Sequence, residues 1–206
     1  MITLYGTQRS RALRVSWLLE EMALDWQFQR VDMQQRSPEF LALNPCGKVP
    51  VLVDDELVLT ESAAIMQYLA ERYGEGQFLP QPGSHAAGLH HRWVSFIITE
   101  LEQPLWSIGK HRFALPEELR LETMFGVAKW EFDKAAAIAE TWLASSDFAR
   151  TGFLFGDKLT VADILLAHTL MWATLFEQTI PPQLAAYRDK LQQRQALHSA
   201  LEKTKA

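Results

Sequence analysis

Asn44-Pro45-Cys46-Gly47-Lys48-Val49-Pro50-Val51-Leu52-Val53-Asp54-Asp55-Glu56-Leu57-Val58-Leu59-Thr60-Glu61-Ser62 holds most of what decides the fold. Asn44 to Gly47 is a run of turn formers. After it, Pro50 to Val53 and Leu57 to Leu59 flank a polar tip, the pattern of two antiparallel strands joined by a hairpin. Proline at the first residue of a strand removes no donor that the ladder needs. A cis bond at Val49-Pro50 would leave the Val49 backbone open to an extended ligand. Glu61-Ser62 then opens a helix and puts a carboxylate, a hydroxyl and unsatisfied backbone N–H groups side by side. That set can hold an amino group and a carboxylate together, the signature of an α-amino acid. Taken singly, Pro50 is ordinary turn chemistry and Glu61 and Ser62 are ordinary helix-start residues; the combination carries the reading.

Working outward toward the N-terminus, Ile2 to Tyr5 reads as a strand, and Val15, Leu18, Leu19 and Met22 recur at i, i+3, i+4, i+7 as an amphipathic helix. Trp26 and Phe28 alternate with glutamines as a second strand, at a spacing that suits a right-handed parallel crossover. Toward the C-terminus, Thr60 caps a helix with the stripe Ile65, Tyr68 and Leu69, ending near Gly74. Residues 1–76 therefore read as a βαβ-ββα domain, and the breaker-rich stretch 77–84, with Pro80 and Pro82, as a linker. From 85 to 206 the apolar period stays helical, through Leu89, Trp93, Phe96 and Ile97, a segment from about Pro116 to Leu143, and a very apolar helix from Val161 to Leu175. Thr160 and Asp163 mark the start of that last helix as a capping pair. The predicted class is α+β, with an all-α second domain.

Composition agrees and excludes alternatives. Of 206 residues, 48% are hydrophobic and 22% charged, as in ordinary globular proteins. The net charge of -5 argues against a surface built to neutralise phosphates, so no nucleic-acid partner is expected. No apolar run approaches the roughly 20 residues of a membrane span, and the first residues carry no targeting pattern. A single cysteine rules out an internal disulfide, which makes the cytoplasm the default expectation.

The join between first strand and first helix, Gly6-Thr7-Gln8-Arg9-Ser10-Arg11, carries two hydroxyls that either donate to an anion or cap the helix. Neither has a His or Lys base placed beside it by sequence, so nucleophilic serine chemistry is not indicated. No metal site is expected, because His90 and His91 are adjacent on a helix and point about 100° apart. Those two and His111 are read as solvated, His168 as a core residue, and Cys46 as structural.

Asn44 to Leu52, followed by Leu59-Thr60-Glu61-Ser62-Ala63-Ala64-Ile65, resembles the glutathione-binding signature of the cytosolic glutathione transferases. Ser10 to Glu21 is similar to the first helix of their bacterial and fungal members, and Thr160 to Asp163 to their capping box. The resemblance implies a thioredoxin-like first domain, an all-helical second domain and a homodimer, with detoxification as the usual role. It further implies that Val49 pairs its backbone with the cysteinyl part of glutathione beside a cis Pro50. Glu61 and Ser62 would hold the γ-glutamyl end, and Lys48 would sit near the glycine carboxylate. For the sulfur, Ser10 is the first choice, counting from Gly6; Thr7 matches if Ser10-Arg11-Ala12 is counted as the family's second serine, and Arg11 is a third candidate.

The expected reaction adds the glutathione thiolate to a small apolar electrophile, with glutathione as co-substrate and no metal or other cofactor. Glu100, Trp106 and Phe113 are the expected pocket residues for that electrophile, while Trp93, Phe96 and Ile97 are assigned to the core. A binding or regulatory protein on the same fold, and a glutathione-dependent reductase or peroxidase, are the alternatives. The absence of a cysteine at positions 7 and 10 weighs against the last.

Overall fold

The computed structural model describes residues 1–205. Four strands, β1 (Ile2–Gly6), β2 (Trp26–Arg30), β3 (Val51–Asp54) and β4 (Leu57–Thr60), form one mixed sheet in the order β2-β1-β3-β4. β1 and β2 run parallel around helix α1 (Ala12–Glu21), and β3 and β4 form the expected hairpin, antiparallel to β1. Helix α3 (Ser62–Tyr73) follows β4. Leu4 and Leu52 sit opposite one another in the β1/β3 ladder and, with Val15, Leu18, Leu19, Ile65, Met66 and Leu69, are fully buried. At the neighbouring register position Tyr5 faces Val51, and these pack with Val31 and Phe40 in a second, smaller cluster. The period of two thus feeds both faces of the sheet.

Phe40 belongs to a short helix, α2 (Pro38–Leu43), which the sequence reading passed over. Its signal was present: Ser37 accepts a hydrogen bond from the Phe40 N–H at 3.2 Å, and Pro38 occupies the first turn. A second difference concerns α3, whose capping position is Glu61 and not Thr60, because Thr60 ends β4. The far end of the same hairpin is anchored by Asp54, whose Oδ2 accepts from the hydroxyls of Tyr68 at 2.7 Å and Tyr73 at 2.6 Å. Burial, followed by the bond to Asp54, pushes the Tyr68 hydroxyl up to about 12.

The chain groups into two compact units, one of residues 1–79 with the segment from Gln193 onward, the other Pro80–Gln192. The first therefore takes in the C-terminal helix α10 (Gln195–Lys203), where the sequence pattern assigns it to the helical half. α10 packs along α1, and this explains why eight consecutive α1 residues, Ala12 to Leu19, are buried where periodicity had indicated a single stripe.

The second unit begins with α4 (His85–Phe96), capped by Ser84. A π-helical turn, Ile97–Leu101, joins α4 to α5 (Glu102–Gly109), and another, Lys110–Ala114, follows. A 3₁₀ turn (Glu117–Leu119) leads to α6 (Thr123–Ala144), then come α7 (Phe148–Thr151), α8 (Val161–Leu175) and α9 (Pro182–Gln192). α8 is buried along most of its length, as its all-round apolarity requires. At its start, Asp163 accepts from the Thr160 N–H (2.8 Å) and hydroxyl (2.6 Å), the Leu154 N–H (2.8 Å) and the Tyr187 hydroxyl (2.7 Å). His90, expected at the surface, is only 1% exposed, and its Nε2 accepts the Ala162 N–H at 3.3 Å. His91 is exposed as expected. Trp93 and Ile97 are core residues, and Phe96 is half-buried.

Candidate functional site at one edge of the sheet

Strand register decides which predicted residues meet. In the β1/β3 ladder Tyr5 pairs with Val51, and in the β3/β4 ladder Val51 pairs with Thr60. The C-terminal end of β1, the N-terminal end of β3 and the C-terminal end of β4 therefore share one edge. From that edge issue the loop Thr7 to Arg11, the segment Lys48-Val49-Pro50 and the α3 start at Glu61-Ser62. Ligands of sheet-and-helix folds collect at such edges, where strands hand over to helix N-termini.

The first of these segments turns tightly. A Cβ at Gly6 would lie 2.5 Å from the Ala12 Cβ, so only glycine allows the chain to double back into α1 there. Ser10 caps the helix: its Oγ accepts the Ala12 N–H at 3.1 Å and donates its proton to the Thr7 carbonyl at 2.7 Å. The Ser10 carbonyl also accepts the Leu13 N–H at 3.1 Å. Two donors that an anion would use at this helix start are thus taken locally. The half-buried Thr7 hydroxyl has no hydrogen bond among the described residues. Arg11 stands between this cap and Ala12, with helical backbone angles and no side-chain capping bond. Thr7, Gln8, Arg9, Ala12 and Leu13 line one side of a cavity of about 200 Å³ whose other wall is Leu201, Thr204 and Lys205.

The second segment is held by its own turn. Asn44 accepts the Cys46 N–H through Oδ1 and donates through Nδ2 to the Lys48 carbonyl, at 3.1 and 2.8 Å. Arg36 Nε donates to the Gly47 carbonyl at 2.6 Å, across a glycine with φ of +60°. The peptide bond between Val49 and Pro50 is cis. Neither the N–H nor the C=O of Val49 is hydrogen-bonded among the described residues, so this backbone remains available beside β3. Lys48 and Cys46 are exposed.

At the third segment Glu61 adopts φ 66°, ψ 107°, outside the regions that non-glycine residues favour. Such strain, of order 1–3 kcal/mol, gathers where the surrounding fold holds a residue in place for a purpose. Glu61 is exposed, whereas Ser62 is 3% exposed and accepts a hydrogen bond from Arg14 Nη1 at 3.2 Å. Arg14, itself fully buried on α1, was not singled out in the sequence. Its position on the apolar helix was a signal, since a charge among Leu13, Val15 and Leu18 demands a partner.

The expected electrophile residues all belong to the helical unit. The rings of Trp106 and Phe113 meet edge to face at 6.5 Å, with Phe113 58% exposed. Gly109 lies between them, where a Cβ would come within 3.2–3.3 Å of Trp106, Phe113 and Phe176. Glu100 is exposed on the first π turn, with no hydrogen bond or ion pair among the described residues. A larger cavity of about 430 Å³ opens beside α2, lined by Tyr5, Arg30, Val31 and Phe40 among others, and includes none of the predicted residues. Among the described residues no three His, Cys, Asp or Glu side chains gather as a metal site would need.

Residues 1–71 match the glutathione S-transferase N-terminal domain model and residues 103–195 the glutathione S-transferase C-terminal domain model. The chain is 33% identical over 161 residues to glutathione S-transferase 1 of Dianthus caryophyllus, covering 77% of this chain and 70% of that one. Among solved structures, a glutathione transferase from Methylococcus capsulatus superposes with a TM-score of 0.87 at 28% identity, covering 100% of this chain and 99% of that chain. A sphingomonad glutathione S-transferase complexed with glutathione gives a TM-score of 0.84 at 26% identity, over 98% of each chain. With the sheet, its edge and the helical unit as described, these likenesses establish that the chain belongs to the glutathione S-transferase family.

Proposed function

We propose that this chain binds glutathione at the sheet edge and adds its thiolate to a small apolar electrophile, acting in the cytoplasm as a homodimer without metal or other cofactor. The observation that carries the reading is the convergence there of an unpaired Val49 backbone, a helix start at Glu61-Ser62 and a threonine hydroxyl without a partner. Val49 supports pairing with the cysteinyl peptide group, Glu61 contact with the γ-glutamyl ammonium, Ser62 contact with its carboxylate, and Lys48 contact with the glycine carboxylate. A free thiol has a pKa near 8.5, so each unit of lowering requires about 1.4 kcal/mol. One charge-assisted hydrogen bond contributes about 1.5–3 kcal/mol, enough to hold a useful thiolate fraction at neutral pH. The thiol proton leaves to water, the sulfur bonds to the electrophilic carbon, and the displaced halide or other leaving group departs.

Ser10 spends its proton on the Thr7 carbonyl, whereas Thr7 has a hydroxyl to offer. That favours Thr7 as the sulfur's donor over Ser10 and leaves Ser10 the capping role. The test measures retention on immobilised glutathione and turnover of a chromogenic aryl halide by wild type, Thr7→Val, Ser10→Ala and Arg11→Ala. Thr7→Val is expected to lose about tenfold or more in turnover while still binding glutathione. Ser10→Ala should lose about 0.5–2 kcal/mol of stability, with a smaller kinetic effect. The reverse pattern returns the sulfur to Ser10, a loss confined to Arg11→Ala moves it there, and a wild type that glutathione does not retain overturns the binding reading altogether. Exposed Phe113 and Trp130, 58% and 65% accessible in the isolated chain, are consistent with the proposed dimer.

A further inference from the structure

Arg14 is the most deeply buried charge on α1, with no exposed surface, and burying a guanidinium costs several kcal/mol unless its donors are used. One of them, Nη1, is spent on Ser62 Oγ at 3.2 Å, a contact between the first turn of α1 and the first residue of α3. A serine oxygen that accepts from one side has its proton on another. No acceptor for that Ser62 proton exists among the described residues. Ser62 is itself 3% exposed, and it stands at the start of a twelve-residue helix, where the first-turn N–H groups and the helix dipole favour an anion. The hydroxyl thus has a positive charge on its oxygen and a proton still to donate.

We infer that Arg14 is a positioning residue for the α-carboxylate of the γ-glutamyl group. It orients the Ser62 hydroxyl toward that carboxylate and strengthens it as a donor by placing a cation on its oxygen. The inference rests on the glutathione reading of the same edge and adds to it a residue that never touches the ligand. Polarisation along a chain of hydrogen bonds in a low-dielectric setting makes the pair worth more to an anion than an isolated serine.

The experiment compares dissociation constants for glutathione and for an analogue lacking only the γ-glutamyl α-carboxylate, with wild type, Arg14→Met, Arg14→Lys, Ser62→Ala and the Arg14→Met/Ser62→Ala double variant. Arg14→Met should weaken glutathione about tenfold and leave the affinity for the analogue within twofold. Arg14→Lys, which keeps the charge but not the planar fork, should fall between wild type and Arg14→Met. The double variant should bind no worse than the weaker single one, because both changes break the same link. Thermal melting of each variant accompanies the binding data; if Arg14→Met does not fold, Arg14→Lys alone must show the selective loss for glutathione over the analogue. Equal losses for both ligands, or additive losses in the double variant, make Arg14 merely structural and overturn the inference while leaving the glutathione reading intact. A wild type that fails to bind glutathione removes that reading and this inference together.

Discussion

Asp163 shows how much a single side chain can organise. It is completely buried, and that burial pushes its carboxyl up, while hydrogen bonds from Thr160, Leu154 and Tyr187 act in the opposite direction. Four donors converge on its two oxygens, the full acceptor capacity of a carboxylate. Asp163→Asn replaces one oxygen with an amide that points two donors at groups that are donors already. Stability is expected to fall by about 3–5 kcal/mol, the scale of breaking a buried charged network. Urea unfolding followed by circular dichroism measures this, and a midpoint within about 0.5 kcal/mol of wild type would show that the network is dispensable. The Thr160-Asp163 pair was legible, since a cap and its N3 partner lie three residues apart. The Leu154 and Tyr187 donors were not, because they approach from 9 and 24 residues away. The site obeys the same division: Glu61 and Ser62 could be read from local chemistry, but Arg14 reaches Ser62 across 48 residues.

Between elements, His90 ties α4 to the first turn of α8 by accepting the Ala162 N–H. Desolvation first, and the neighbouring His91 second, lower its pKa from 6.5 to about 4. The rings packed near it are His91 at 6.0 Å and Phe155 at 5.6 Å, and a proton on Nε2 would face an N–H donor and the positive end of α8. The folded pKa lies below the unfolded one, so the unfolded chain takes the proton first. Stability from this group is whole above pH 6.5 and is lost as the pH falls from 6.5 toward 4, by about 1.4 kcal/mol per pH unit for one proton. His90→Gln keeps an acceptor for Ala162 and cannot titrate. The difference in unfolding free energy between wild type and His90→Gln should therefore drift steadily in favour of the variant across that window; a constant difference would remove His90 from the acid response. Sequence periodicity showed two adjacent histidines on a helix, yet which of the two turned inward depended on α8, more than 70 residues away. The elements of the sheet were more legible, because the hairpin is written within a few residues and the crossover in two short strands around one amphipathic helix. The cap of α3 falls one residue later than expected because Thr60 is as good a strand residue as it is a cap, and the ladder to Val51 claims it.

At the scale of the whole chain, the segment from Gln193 completes the unit that begins at Met1. Glu21, at the end of α1, accepts from Arg194 Nε at 2.5 Å and Nη2 at 2.7 Å, and also from the Trp17 indole at 2.8 Å. Trp26 donates to Glu20 at 2.8 Å while Lys203 Nζ lies 4.2 Å from the centre of its ring. Leu197 and Ala200 of α10 are buried, and an apolar side chain of leucine size contributes roughly 1.5–3 kcal/mol when removed from water. A contribution of that size, with the bidentate ion pair added, matters against the 5–15 kcal/mol by which domains typically outlast unfolding. None of this is legible in the last residues, since the sequence reading carries a helical period to residue 206 without marking α10, and its partner α1 lies more than 170 residues away. Deleting the chain from Gln193 onward would uncover α1 and leave Glu21 without its guanidinium. The truncated protein should melt well below the intact one, by 10 °C or more at about 2–4 °C per kcal/mol for a chain of this length. Its tryptophan emission should shift to the red as Trp17 and Trp26 meet water. Arg194→Ala, which keeps the apolar face of α10, should show a melting shift of only a few degrees and no change in emission, since it removes the ion pair but not the cover. If truncation moved neither the melting temperature nor the emission, α10 would be an appendage to the sheet-bearing unit, and α1 would have to be stable with an apolar face in solvent, contrary to the burial of Ala12 to Leu19 on every side.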